Sequence, residues 1–169
     1  MNAPKQRNSR EENKEIRAGK VSKRIEQVPN VKRQKDLDAR WTKKNNERYY
    51  GYKDYVCVEN KHKLIREYEV TSAEVHDSQV FTELPGDNSS KDVWTDSAYY
   101  GEECEIALNV MGYRSHVHKK GCRGKPLSEC EKEVNHRKSK VWARVEHVIG
   151  SMENEQGGMF VRTIGLARA

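Results

Sequence analysis

Apolar residues are sparse over the first 48 positions and then recur with two distinct periods. Residues 2–10 are polar and turn-prone, and residues 11–20 offer only Ile16 and Ala18 as apolar side chains, too few to build a core. From Tyr49 the pattern changes. Residues 49–58 and 64–71 are β-rich: Val56 and Val58 flank Cys57, Tyr68 and Val70 flank Glu69, and Glu59-Asn60-Lys61 is turn-like. This alternation predicts an antiparallel hairpin. Thr71-Ser72-Ala73-Glu74 has the form of a capping box, predicting a short helix through Val80 and Phe81 to Leu84 that Pro85-Gly86 stops.

Further on, residues 87–90 form a loop leading into a strand over 91–96. Residues 101–111 predict a helix with Ile106, Ala107, Val110 and Met111 on one face and Gly112 just beyond it, followed by a strand over 113–118. Residues 119–140 are basic, poor in apolar side chains and punctuated by Gly121, Gly124 and Pro126. They predict an exposed insertion with a short polar helix near 127–134. The last strong pattern is helical: Val141, Val145, Val148 and Met152 share one side with Ile149 at its edge, and Glu146 stacks above Trp142 on the flank of that stripe. Glu146 is expected beside the core, within reach of the sheet edge.

Composition narrows the reading. With 34% hydrophobic and 34% charged residues in 169, the chain suits one domain with a small core, residues 1–48 forming a basic, poorly packed arm ahead of a domain over 49–169. The net charge of +6 is uneven: +8 over residues 1–50, −5 over 51–100 and +3 over 101–150. Basic flanks around an acidic centre are what a carboxylate metal site acting on a polyanion needs, though a solvated basic tail has the same charge balance. No stretch is apolar enough for a membrane span or a signal peptide, so no membrane partner and a cytoplasmic location are expected. Cys57, Cys104, Cys122 and Cys130 form no Cys-x-x-Cys pair and read as reduced thiols.

Asp96 and Glu146 are the candidate catalytic and metal-binding residues: one closes the run Val93-Trp94-Thr95-Asp96, the other sits mid-helix. Carboxylate oxygens suit hard cations such as Mg²⁺ or Mn²⁺. The same two residues also fit a helix cap and a surface glutamate. Lys119, Lys120, Arg123, Lys140 and Arg144 are candidate contacts to a polyanion, or ordinary solvated cations. His116, His118, Cys122, Cys130 and His136 carry zinc-type donors, but the spacing lacks the paired cysteines of a finger, and the cluster reads as part of a basic insertion. Tyr99 reads as a core tyrosine and Trp94, by alternation, as packing beneath Asp96.

Several blocks resemble consecutive segments of insertion-sequence transposases of families four and five, the Asp-Asp-Glu (DDE) transposases. They are residues 34–44 with Asp36-Leu37-Asp38-Ala39-Arg40-Trp41, Tyr50-Gly51-Tyr52-Lys53, Val75-His76-Asp77-Ser78, residues 94–99, Gly112-Tyr113-Arg114, residues 144–150 and Val161-Arg162-Thr163-Ile164-Gly165. The resemblance implies an α/β fold with a mixed α+β sheet: a ribonuclease-H-like catalytic core, represented here by the C-terminal part of the catalytic domain. It implies metal-dependent cleavage and strand transfer at insertion-sequence ends, with three carboxylates holding two Mg²⁺ or Mn²⁺ ions. Asp96 matches the second aspartate and Glu146 the glutamate. Terminal repeats and target DNA are the implied partners, a homodimer the implied assembly, and a bacterial or archaeal nucleoid the implied location.

The family's first aspartate lies on a core strand just upstream of the segment matching residues 3–8. The expectation is therefore a core lacking its first strand: a truncated, inactive transposase fragment, or alternatively a non-catalytic DNA-binding remnant. Asp36 and Asp38 are not expected to substitute, since the family does not use that block for metal.

Overall fold

The computed structural model describes residues 1–3, 6–44, 46–82, 84, 86 and 90–169, which form two compact units. The first comprises Met1–Asp54, Val70–Val75 and Gln156–Ala169; the second comprises Tyr55–Glu69 and His76–Glu155. The elements run α1 (Arg10–Arg17), α2 (Lys23–Gln27), α3 (Pro29–Gln34), β1 (Arg40–Lys44), β2 (Glu47–Glu59), β3 (Leu64–Ser72), α4 (Asp77–Val80), β4 (Asp92–Val93), α5 (Glu102–Val110), β5 (Arg114–Ser115) and α6 (Glu129–Asn154). The architecture is mixed α/β, with β1-β2-β3 in one sheet and β4-β5 in another, so the antiparallel and parallel pairings expected in one mixed sheet are divided between two.

The predicted hairpin is present as β2 and β3, neighbours joined by four residues, a connection that only antiparallel strands accept. Strand β1 lies within the stretch read as an arm, and pairs antiparallel with β2, Trp41 opposite Tyr50 and Lys43 opposite Arg48. That stretch also carries α1 to α3 and buries Asn8, Ile25, Asp36 and Ala39 completely or nearly so, so it is better packed than its polarity suggested. The physical reason is that much of what it buries is polar and hydrogen-bonded rather than apolar. The Asp36 carbonyl accepts from Asn8 Nδ2 and from the Tyr50 hydroxyl, and Ala39, Tyr50 and Tyr52 form the adjoining core with Trp41, Val70 and Val161 against them. Gly51 lets the chain start lie against β2: a Cβ there would come within 2.3 Å of the Met1 carbonyl oxygen, while Tyr52 N donates to Met1 O and Ala3 N to Tyr50 O.

In the second unit Phe81, Cys104 and Leu108 form the core, with Val93, Tyr99 and Tyr113 packed on it. The face expected to be inward on α5 is outward: Ile106 is 55% exposed and Val110 83%, whereas Cys104 and Leu108 are buried. Both pairs are spaced i, i+4, so periodicity could not separate them; packing against Phe81 decides. Helix α4 is capped by the His76 ring, which accepts from Ser78 N, and not by the proposed box, because β3 continues through Ser72. Pro85 and residues 87–89 of the predicted stop and loop lie outside the described residues. The separate polar helix near 127–134 does not exist as such: Ser128 and Glu131 form a capping box that starts α6, and the glutamate helix runs unbroken for 26 residues, roughly 39 Å. Its Val141, Val145, Val148 and Met152 stripe is half-buried, as the wheel predicted. Among the described residues no helix is long and apolar enough to cross a membrane.

Candidate functional site

Asp96 sits three residues past the end of β4, and the strand is shorter than predicted, although the parallel ladder continues in single bonds: Arg114 N to Lys91 O, His116 N to Val93 O and His118 N to Thr95 O. Thr95 is buried, and its carbonyl is the last of these acceptors. Asp96 is exposed and caps a 3-10 turn, Ser97–Tyr99, its Oδ1 accepting from Ala98 N at 2.7 Å. This is the helix-cap geometry that the sequence also allowed, and it leaves Oδ2 uncommitted. Beneath it Tyr99 packs on Phe81 with ring centroids 4.9 Å apart, and burial pushes its hydroxyl up to about 12, in keeping with a core tyrosine. Trp94 stacks on His116 at 4.7 Å, and His116 Nε2 lies 2.9 Å from Asp92 Oδ1.

Glu146 is exposed on α6 and makes no hydrogen bond or ion pair among the described residues. What fixes its helix lies further toward the N-terminus. Asn135 clamps the backbone of Lys119 on both sides, Oδ1 accepting from its N at 3.0 Å and Nδ2 donating to its O at 2.9 Å. Lys138 Nζ donates to Val117 O at 2.7 Å. His118 then joins the two halves of the candidate site, with Nδ1 2.9 Å from Thr95 O and Nε2 3.1 Å from Ser139 Oγ. A carbonyl only accepts, so Nδ1 carries a proton. Ser139 is two helical turns, about 10 Å, before Glu146 on the same face, so one imidazole ties the residue preceding Asp96 to the glutamate helix. Sequence reasoning saw His118 only as a weak zinc donor; nothing in its spacing signals this tether.

The cationic candidates differ in how free they are. Lys120, Arg123 and Lys140 are exposed, Arg144 Nη1 reaches Asn60 O at 3.3 Å, and Lys119 Nζ is paired with Glu131 at 3.1 Å. Asp36, the alternative carboxylate, is committed elsewhere: Oδ1 accepts from Asp38 N, Ala39 N and the Tyr52 hydroxyl, and Oδ2 from the same hydroxyl and from Gly165 N. Asp38 Oδ2 accepts from Leu166 N. Cys122 and Cys130 are free and exposed.

Asp96 and Glu146 therefore present hard oxygen donors with spare lone pairs, the chemistry that Mg²⁺ or Mn²⁺ takes. The number of donors falls short: among the described residues no three His, Cys, Asp or Glu side chains are grouped to hold one ion. The pair alone does not make a closed carboxylate cage.

The family described as transposase DDE domain matches residues 16–169. The transposase for insertion sequence element IS1106 of Neisseria meningitidis serogroup B is 28% identical over 122 residues, covering 72% of this chain and 42% of the relative. The chain thus spans less than half the length of that relative. No solved structure matches.

Proposed function

This chain belongs to the transposase DDE-domain family, and we propose that Asp96 and Glu146 are its metal-binding carboxylates in a ribonuclease-H-like arrangement that holds insertion-sequence DNA. The observation that carries this reading is the contrast among its acidic side chains: Asp96 and Glu146 are exposed with unspent oxygens, whereas Asp36 is enclosed and saturated. DNA is held by the exposed cations Lys120, Arg123, Lys140 and Arg144, with Lys119 joining once it leaves Glu131. The ions are Mg²⁺ or Mn²⁺, two in a complete site, the partners are terminal repeats and target DNA, and the working assembly on paired ends is a homodimer.

Since no three such donors are grouped among the described residues, the reading has this chain by itself binding divalent metal weakly and not nicking DNA.

The test combines Mn²⁺-dependent nicking of supercoiled DNA with Mn²⁺ paramagnetic broadening of backbone amides, in the native chain and in Glu146→Gln. The expected result is no nicking, with amides around Asp96 and Glu146 broadened in the native chain and less so in the variant. Nicking that Glu146→Gln abolishes would show that another carboxylate completes the site and that the chain is active unaided. Broadening indifferent to Glu146→Gln, with salt-sensitive DNA binding retained, would leave only the non-catalytic DNA-binding reading.

A further inference from the structure

A second cationic surface lies in the first unit, to which none of Asp96, Glu146, Lys119, Lys120, Arg123, Lys140 and Arg144 belongs. An open cleft of about 220 Å³ is lined by Arg10, Trp41, Thr42, Lys43 and Arg48, with no carboxylate in its walls. Trp41 and Lys43 alternate onto one face of β1, and their partners in register, Tyr50 and Arg48, put Arg48 directly opposite Lys43 on that face. Like charges directly opposite across an antiparallel pair repel and weaken it. Among the described residues neither Lys43 nor Arg48 makes an ion pair, nor do Arg10 and Arg7. Arg7 instead lies over the Trp41 ring, its guanidinium 5.7 Å from the centroid, and the ring is held by Nε1 donating to Asn8 O at 3.0 Å. The sheet thus carries a repulsion that its own structure leaves uncompensated, next to a fixed aromatic ring.

We propose that this cleft binds the phosphodiester backbone of duplex DNA, with Arg10, Lys43 and Arg48 on the phosphates and Trp41, carrying Arg7 on its ring, as the fixed support beneath them. The site is open and has no buried polar side chain to specify a small enclosed ligand, so a polyanion lying across it fits better than a metabolite inside it. The proposal rests on the DNA-binding reading given above and adds to it a contact surface on β1 and β2.

The test exploits the opposed signs that the like-charge pair imposes. Lys43→Glu and Arg48→Glu each turn the pair into an opposite-charge pair, so each variant should melt at or above the native temperature, while the double reversal restores repulsion and melts lower. DNA affinity, read by fluorescence anisotropy of a labelled duplex of random sequence, should fall about tenfold or more in all three, and the slope of log affinity against log salt should drop by about 1 to 2. Loss of structure cannot produce weaker binding in a better-folded variant. Lys20→Glu, an equal charge change on an exposed residue of the same unit, should change affinity by less than about twofold. Salt-sensitive binding by the native chain that Lys43→Glu and Arg48→Glu leave unchanged would overturn the cleft alone. Absence of any DNA binding by the native chain would overturn the cleft together with the DNA-binding reading.

Discussion

Asp36 and Asp96 are the same side chain used in opposite ways. Asp36 is 1% exposed, and its two oxygens together accept from three backbone N–H groups and the Tyr52 hydroxyl. That hydroxyl is held well above its ordinary value, first by burial and then by its bond to the carboxylate, and burial brings the neighbouring Tyr50 hydroxyl to about 12. Asp96 is exposed and spends one oxygen on a single cap bond to Ala98 N. The difference separates scaffold from candidate chemistry: a carboxylate saturated by its own chain organises a fold, and one with lone pairs to spare can bind something else.

The largest expected effect comes from breaking the saturated member. Asp36→Ala removes the common acceptor of Asp38 N, Ala39 N, Gly165 N and the Tyr52 hydroxyl, and at roughly 1 kcal/mol or more for each group left unsatisfied the loss should reach about 4 kcal/mol or more. Asp96→Ala removes one exposed cap and should cost only about 1 kcal/mol. Urea denaturation of both variants checks the contrast. Equal midpoints would mean that Asp36 is not the organising carboxylate of its unit.

That contrast was only half legible in the sequence. Asp96 and Glu146 stand out because each interrupts or flanks an apolar pattern, and the hairpin and the half-buried stripe of α6 follow directly from periods of two and 3.6 residues. The role of Asp36 does not follow from such periods. Its partners lie at positions 52 and 165, and the stretch around it packs through polar groups, which a count of apolar residues registers as an unpacked arm. The orientation of α5 was ambiguous for a related reason: 104/108 and 106/110 are equally good i, i+4 pairs, and only Phe81 distinguishes them. The length of α6 was obscured by its charge, because the first three turns carry few apolar residues and are started by a capping box.

Asp96 differs from Asp36 in a second way that can be sharpened: its position is held at one remove. Asp36 is fixed by bonds to its own carboxylate, whereas the segment entering Asp96 is tied to α6 through His118, which holds Thr95 O and Ser139 Oγ. His118→Ala should lower stability by roughly 1–2 kcal/mol, from one partly buried and one exposed hydrogen bond. Its distinctive signature is local. Amide exchange at Ala98 and Tyr99 should accelerate in the variant, while exchange at Ala39 and Gly165 stays as it is in the native chain. Unchanged exchange at Ala98 would show that the Asp96 turn is rigid without the tether.

The smallest effect concerns the capping boxes, one in each unit, which repeat the comparison at helix starts. Ser9 and Glu12 open α1, and Ser128 and Glu131 open α6, with the glutamate accepting from the serine N–H in each. Burial pushes Glu12 up, but Lys35 and the Ser9 N–H outweigh it, leaving it below the ordinary carboxylate range. Glu131 is half-buried and is drawn from 4.5 down to about 2, chiefly by the Ser128 N–H, then by the Ser128 hydroxyl and Lys119. A carboxyl lowered in the folded chain contributes stability that is fully present above its unfolded value and is lost as pH falls through its folded one. The amides of Ser128, Glu131 and Lys132, which the capping box bonds, should therefore keep their protection above pH 4.5 and lose it progressively toward pH 2. Glu131→Gln retains a side-chain acceptor for the box but has no proton to gain, so its protection should be flat over that window, as measured by amide exchange. Protection that falls equally in the variant would assign the acid sensitivity to other carboxylates, with Glu133 and Glu129 of the same helix start the first to replace.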